Sequence, residues 1–194
     1  MSTTSSREPA ILQVRVKLLG VSKPSVWRRL LVGHEMRLDQ LHEVVQVAMG
    51  WCNHHMHVFC TDACEYGVPD SELGFLDERQ MMLCQLLSGP GDRIQYTYDF
   101  GDVWQHEVAL EKVLDEDPGQ ALPICTAGKG ACPPEDCGGV WGYARLQEVL
   151  ADPSDGEHAH MLGWLELESA SDFDAAAFEI DAVNETLGHL SAVR

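Results

Sequence analysis

Three observations predict an α+β fold on a mainly antiparallel, twisted sheet for this 194-residue chain. The first third alternates apolar and polar residues at the period of a strand. The last third repeats apolar residues at helical spacing, and no regular strand–helix alternation joins the two. At 45% hydrophobic and 23% charged residues, the composition is that of an ordinary globular protein.

Residues 1–9 are polar and read as a disordered leader, ahead of a single domain over residues 10–190. Leu12, Val14, Val16 and Leu18 alternate with Gln13, Arg15 and Lys17, as a half-buried strand requires. "SKPS" then turns the chain into "VWRRLLV", the second strand of an early β-meander. A helix is predicted over residues 37–49, where Leu38, Leu41, Val45 and Ala48 share a face and Gly50 supplies the stop. "HHMHVFCTD" reads as a third strand with His55, His57 and Phe59 on one side. A short helix follows around "ERQMMLCQLL", with Met81, Met82, Leu83 and Leu86 as its core stripe. Residues 94–114 form a strand pair, and "CTAGKGACPPEDCGG" is too rich in Gly and Pro for helix or strand. The C-terminal third is helical and packs on the sheet, with Asp174 placed to cap the final helix or helix pair.

The strand pair holds the first concentration of chemistry, "YTYDFGDVWQH". Gly101-Asp102 is a two-residue type II′ hairpin signal. That register pairs Asp99 with Trp104 and Thr97 with His106, which makes Asp99 and His106 diagonal neighbours on one face. A carboxylate so placed orients an imidazole. A longer turn would slip the register by one residue and reverse every face. Turn aspartates such as Asp99 and Asp102 also bond loop amides, with Trp104 and His106 simply packed.

The second concentration is the cysteine loop. Cys125, Cys132 and Cys137 are spaced C-x6-C-x4-C, looser than usual zinc pairs, and His106 or a histidine of "HHMH" would be the fourth ligand of a zinc site. Glu135 and Asp136 stand between two of the thiols. Without metal, Pro133-Pro134 and Gly138-Gly139 make a rigid turn. Arg28 and Arg29 put one guanidinium on each face of their strand, and the inward one calls for an acidic partner among Asp99, Glu135 and Asp136.

Thirteen Lys and Arg against thirty-one Asp and Glu give a net charge of −18, which opposes direct nucleic-acid binding. Seven cysteines with no signal-peptide pattern or membrane-length apolar run point to a cytoplasmic chain with free or metal-bound thiols. The Walker loop, the dinucleotide fingerprint, the G-x-S-x-G elbow and the H-E-x-x-H helix are all missing.

Six segments stand together in an order that resembles the plasmid pRiA4b ORF-3-like family: "PSVWRRLLV", "LDQLHEVVQVAMGW", "HHMHVF", "YTYDFGDVWQHEVALE", "CPPEDCGGVWGYARL" and "FDAAAFEIDAVNETL". The likeness runs from about Ile11 to Leu187 and is most specific in the "YDFGD" and "CPPEDCGG" blocks. It implies a single α+β domain carried by plasmids, other mobile elements and bacterial chromosomes, with no defined reaction. It also singles out, among others, Arg28, His42, His55, His57, Tyr98, Asp99, Asp102, Trp104, His106, Glu135, Asp136 and Asn184. The resolvase label attached to some members does not suit this chain. Its "STTSSR" serine run lies in the leader, and its charge opposes DNA, so serine or tyrosine recombinase catalysis is not expected.

Two function classes follow. The first is a binding module for a small ligand or a protein partner. Its site lies between hairpin and cysteine loop and draws on Arg28, His55, His57, Tyr98, Asp99, Asp102, Trp104, His106, Glu135 and Asp136. The second is a metal-assisted or acid–base hydrolase in which Asp99 and His106 act with Glu135 or Asp136. Catalysis requires those groups to converge on one open cavity. Without a recognised nucleophile, binding is the favoured class.

Overall fold

The computed structural model of the chain describes residues 11–115, 117 and 119–192. The predicted leader, residues 1–9, lies outside them. Eight strands form one sheet in the order β5-β4-β3-β6-β7-β1-β2-β8. These are β1 (Ile11–Ser22), β2 (Ser25–Gly33), β3 (His57–Cys60), β4 (Glu65–Gly67), β5 (Leu76–Asp77), β6 (Arg93–Tyr98), β7 (Trp104–Leu114) and β8 (Ile124–Lys129). All neighbours are antiparallel except β4 and β5. The helices are α1 (Leu38–Met49), α2 (Leu83–Leu86), α3 (Gly139–Ala151), α4 (His158–Trp164) and α5 (Ile180–Ala192). The α+β expectation is therefore met, and no helix among the described residues is long and apolar enough to cross a membrane.

The alternation of β1 and β2 translates directly into burial. Leu12, Val14, Val16 and Leu18 sit in the core with Val26, Leu30 and Val32, while Gln13, Arg15, Lys17 and Arg29 lie on the opposite, solvent-reaching face. Helix α1 begins after Arg37, whose backbone N–H is met by the Gln40 side chain at 3.0 Å. It ends at Gly50, whose left-handed φ of 88° lets its N–H close on the Gln46 carbonyl. Its buried stripe carries Leu41, Val45 and Ala48, and also two polar residues, His42 and Gln46.

Several expectations need correction. The β6–β7 turn is five residues long, Asp99 to Val103, and pairs Tyr98 with Trp104 and Tyr96 with His106. The two-residue turn fails because the one-residue slip gathers Ile94, Tyr96, Tyr98, Trp104, His106 and Val108 on one buried face. Asp99 and His106 are consequently not face-sharing neighbours. Strand β3 begins at His57, so His55 lies before it and does not share its face. The helix predicted around residues 78–87 divides into a 3-10 turn (Glu78–Gln80) and the short α2, because an Arg37–Met82 bridge pulls the intervening chain against the approach to α1. Met82 is accordingly 41% exposed and not core.

The segment read as irregular contains β8, which pairs with β2 from Trp27 to Leu31. Its outer side is held by Asn184 of α5, whose side chain accepts the Cys125 N–H at 2.7 Å and donates to the Cys125 carbonyl at 2.9 Å. Tertiary pairing of this kind overrides weak local strand propensity. Asp174 accepts the Ala176 N–H at 2.8 Å in a local turn, six residues before α5 begins at Ile180. It does not cap that helix. The inward arginine, Arg28, finds no acidic partner among the described residues. Its guanidinium donates to the carbonyls of Trp27, Ala48, Lys129 and Gly130, between 2.7 and 3.0 Å, and stacks over the Phe178 ring at 4.1 Å. Backbone dipoles at the end of α1 and the end of β8 substitute for the carboxylate.

Candidate functional site

Three segments far apart in sequence meet at one end of β6 and β7: the stretch from Trp51 to Met56, the Asp99–Val103 turn, and the loop from Cys132 to Gly139. Main-chain needs bring them together. Trp51 donates its indole N–H to the Pro133 carbonyl at 3.0 Å. Glu135 accepts the Cys52 N–H at 2.9 Å and the Tyr98 hydroxyl. The Tyr98 oxygen in turn accepts the His54 N–H at 3.0 Å. Burial and the Glu135 carboxylate push the Tyr98 hydroxyl well above its ordinary pKa, so it stays a donor. Asp102 accepts the Gly138 N–H at 3.1 Å. Gly139, at a φ of +67°, lies so close to the Asp102 carbonyl that a Cβ would collide with it.

The turn itself is held by Asp99, which adopts a left-handed φ of 59°. Its carboxylate accepts the Gly101 N–H at 2.8 Å, its carbonyl accepts the Val103 N–H at 2.7 Å, and its own N–H donates to the Met56 carbonyl at 2.8 Å. Asp136 also adopts a left-handed φ of 59°. The two carboxylates flank one imidazole: His55 Nδ1 is 3.8 Å from Asp99 Oδ1, and His55 Nε2 is 3.2 Å from Asp136 Oδ1. The His55 ring stands edge-on to Tyr98 at 5.8 Å. Asp99 is almost completely buried, His55 partly buried and Asp136 exposed.

Beside this cluster opens a cavity of about 740 Å³ lined by His42, Glu43, Asn53, His55, His57 and Glu78, among others. On its floor His42 and His57 stack with ring centroids 3.4 Å apart and planes 5° from parallel. His57 Nε2 faces the buried Glu78 carboxylate at 2.8 Å. His42 belongs to a directed chain of hydrogen bonds. Gln46 accepts the Asn53 N–H through its carbonyl oxygen at 3.1 Å, so its amide donates to the Tyr96 hydroxyl at 2.9 Å. The Tyr96 O–H, kept protonated by burial, then donates to His42 Nδ1 at 2.8 Å. That assignment leaves the proton on His42 Nε2, which donates to Asn53 Oδ1 at 2.7 Å. Burial, reinforced by His57, lowers the His42 pKa to about 3. His42 is a neutral structural imidazole with both nitrogens occupied.

Of the residues singled out in the sequence, His55, Tyr98, Asp99, Asp102, Glu135 and Asp136 come together here, and His57 lines the adjoining cavity. Trp104 and His106 do not join them. Both are 0% exposed. His106 Nδ1 donates to the Tyr96 carbonyl at 3.3 Å, and its Nε2 is buried without a hydrogen-bond partner among the described residues. Burial lowers its pKa to about 4. Arg28 lies among its carbonyls, away from every carboxylate named for it. The set Cys125, Cys132, Cys137 and His106 does not gather into one group. Among the described residues, three ligand-type atoms within 4.8 Å of one another occur only for His55, Asp99 and Asp136. Burial raises the Cys132 thiol strongly and the Cys137 thiol to about 12, so both are protonated thiols near neutral pH. The resemblance singled out His42 without giving it a place in the site, and sequence reasoning missed Glu78 as a cavity residue. His42 and Gln46, four apart on the apolar stripe of α1, were a readable signal of a buried polar network. Glu78 carried none.

Comparisons with known proteins agree with this architecture. Residues 10–182 match the family described as plasmid pRiA4b ORF-3-like protein. An uncharacterized protein, y4hQ, of Sinorhizobium fredii is 38% identical over 186 residues, covering 94% of this chain and 93% of its own length. The crystal structure of MM3350, a protein of unknown function from Methanosarcina mazei Go1, superposes with a TM-score of 0.79 at 34% identity. That match covers 90% of this chain and 97% of the other. With a family match over most of its length and a relative of this similarity, the chain belongs to the plasmid pRiA4b ORF-3-like family.

Proposed function

We propose that this chain is a cytoplasmic binding module, associated with mobile genetic elements, that takes a small polar ligand in the cavity beside the junction of hairpin turn and cysteine loop. The observation that supports the reading best is the convergence of His55, Asp99 and Asp136 from three separate segments at the edge of a cavity. The cavity walls carry Asp39, Glu43 and Glu78 against Arg37, which already pairs with Asp39 at 2.9 Å. Such walls favour a ligand that donates hydrogen bonds or carries positive charge.

Amide-resolved NMR titration with a panel of small polyols, amines and amino acids tests this. A ligand that shifts the signals of Asn53, His55, His57 and Glu78 supports the reading. Hits that map only to the open face of the sheet overturn it.

The hydrolytic alternative fits the geometry less well. It needs His106 to exchange protons with substrate, yet that imidazole is sealed behind Trp51 and Tyr96. Glu135 is already engaged by Tyr98 and by the Cys52 N–H.

A further inference from the structure

The His55–Asp99–Asp136 cluster has a charge problem whose solution identifies a ligand. Two carboxylates offer oxygens within 4.8 Å of one another and of an imidazole nitrogen. The Asp99 side chain is only 9% exposed, so water screens the repulsion on that side poorly. A cation held between the carboxylates would relieve it.

We propose that His55, Asp99 and Asp136 bind a first-row divalent transition-metal ion at the mouth of the cavity. The proposal deepens the binding-module reading and rests on it. The donor set is one imidazole nitrogen and two carboxylate oxygens, which suits Mn²⁺, Fe²⁺ or Zn²⁺ better than the all-oxygen preference of Ca²⁺ or the thiolate preference of Cu⁺. Donors bound at about 2.1 Å lie about 3.0–3.4 Å apart along the edges of an octahedron or tetrahedron. The 3.2 Å between His55 Nε2 and Asp136 Oδ1 already falls in that range. Asp136, the exposed member, is free to adjust. Support around the ligands is in place: the Gly101 N–H orients the Asp99 carboxylate, and the Tyr98 ring, tied to Glu135, backs the His55 imidazole. Three protein donors leave coordination positions open, and His55 also lines the cavity. The ion would thus present vacant positions to whatever the cavity admits.

The test uses full-length protein stripped with chelator, dialysed against Mn²⁺ or Zn²⁺ and assayed by plasma mass spectrometry, with Mn²⁺ paramagnetic resonance as a second readout. The expected result is one ion per chain, held at least about ten-fold more weakly by His55→Ala and Asp136→Asn. The Cys132→Ser/Cys137→Ser protein should retain it unchanged. Asp136 is exposed, so its variant keeps the fold even where a change at buried Asp99 would not. Retention unaffected by Asp136→Asn, loss in the cysteine variant, or no retained ion at millimolar concentration would each overturn the proposal. The ligand titration, repeated in chelator, separates the two ideas. Shifts around Asn53 and His57 without a retained ion sink only the metal site; absence of both sinks the binding reading as well.

Discussion

Arg28 and Arg29 are consecutive residues on one strand, yet the two faces of the sheet treat them oppositely. Arg28 is 3% exposed on the helix-covered face and is satisfied by four backbone carbonyls. Arg29 faces outward and meets Glu111 in a two-pronged pair that Gln13 and Arg15 extend across the neighbouring strands. On the covered face a polar group persists because fixed dipoles and directed hydrogen bonds replace water. On the open face water remains available, and ion pairs add little. Polar residues behind the sheet are therefore integral to the core, and those in front of it are adjustable.

The largest test of that contrast is acid. His42 has a pKa of about 3 and His106 of about 4, against an ordinary 6.5 in the unfolded chain. Between those values the unfolded state binds more protons, so stability is full above pH 6.5 and declines as the pH falls towards 4. Each imidazole contributes about 1.4 kcal/mol per pH unit, so the pair should remove on the order of 6 kcal/mol across that window, enough to unfold many domains. Urea midpoints measured through the window check this, and a flat profile would refute the sealed, neutral histidines. The open face should contribute only at the acid end of that window. Glu111, held below its usual 4.5 by Arg29, begins to lose its share only beneath that pH.

Next in size is Arg28→Met, which keeps an apolar stem but strips four carbonyls of their donor. A loss of about 3–4 kcal/mol in denaturant unfolding is expected. A loss below 1 kcal/mol would mean that the carbonyls find other partners. Tyr96→Phe should cost about 2 kcal/mol, because the Gln46 amide and His42 Nδ1 lose their common partner. It should also move the His42 titration observed by NMR, a change that simple loss of packing does not produce. Smallest is Glu111→Gln on the open face, at about 0.5–1 kcal/mol, fading in high salt. If it matched Arg28→Met, the distinction between the two faces would collapse.

Much of the fold could be read from residue pattern alone. The alternation in β1 and β2, the helical stripe of α1 and the Gly50 stop are local signals, and they survive into the structure because local preference and global packing agree. The β6–β7 register was not legible, since Gly101-Asp102 offers a good short turn and only the burial of four rings on one face of the sheet decides otherwise. Strand β8 was hidden for a similar reason: its pairing with β2 and its clasp by Asn184 are long-range. The candidate site was legible as three chemistry-rich words, "HHMH", "YDFGD" and "CPPEDCGG". Which of their residues meet was not. His55 takes the place between carboxylates that the sequence offered to His106. That exchange depends on the turn length and on the left-handed backbones of Asp99 and Asp136, which no side-chain pattern announces.

The clasp on Cys125 has a consequence for how copies of this protein behave towards one another. β8 closes one margin of the sheet, and a margin with free N–H and C=O groups is a template on which another chain can add a strand. Asn184 presents an amide that imitates a strand's backbone, one donor and one acceptor, at the point where such addition would begin. The opposite margin, β5, is two residues long and gives an incoming strand almost nothing to register against. One side chain and one truncated strand thus guard an eight-stranded sheet against growing into its neighbours.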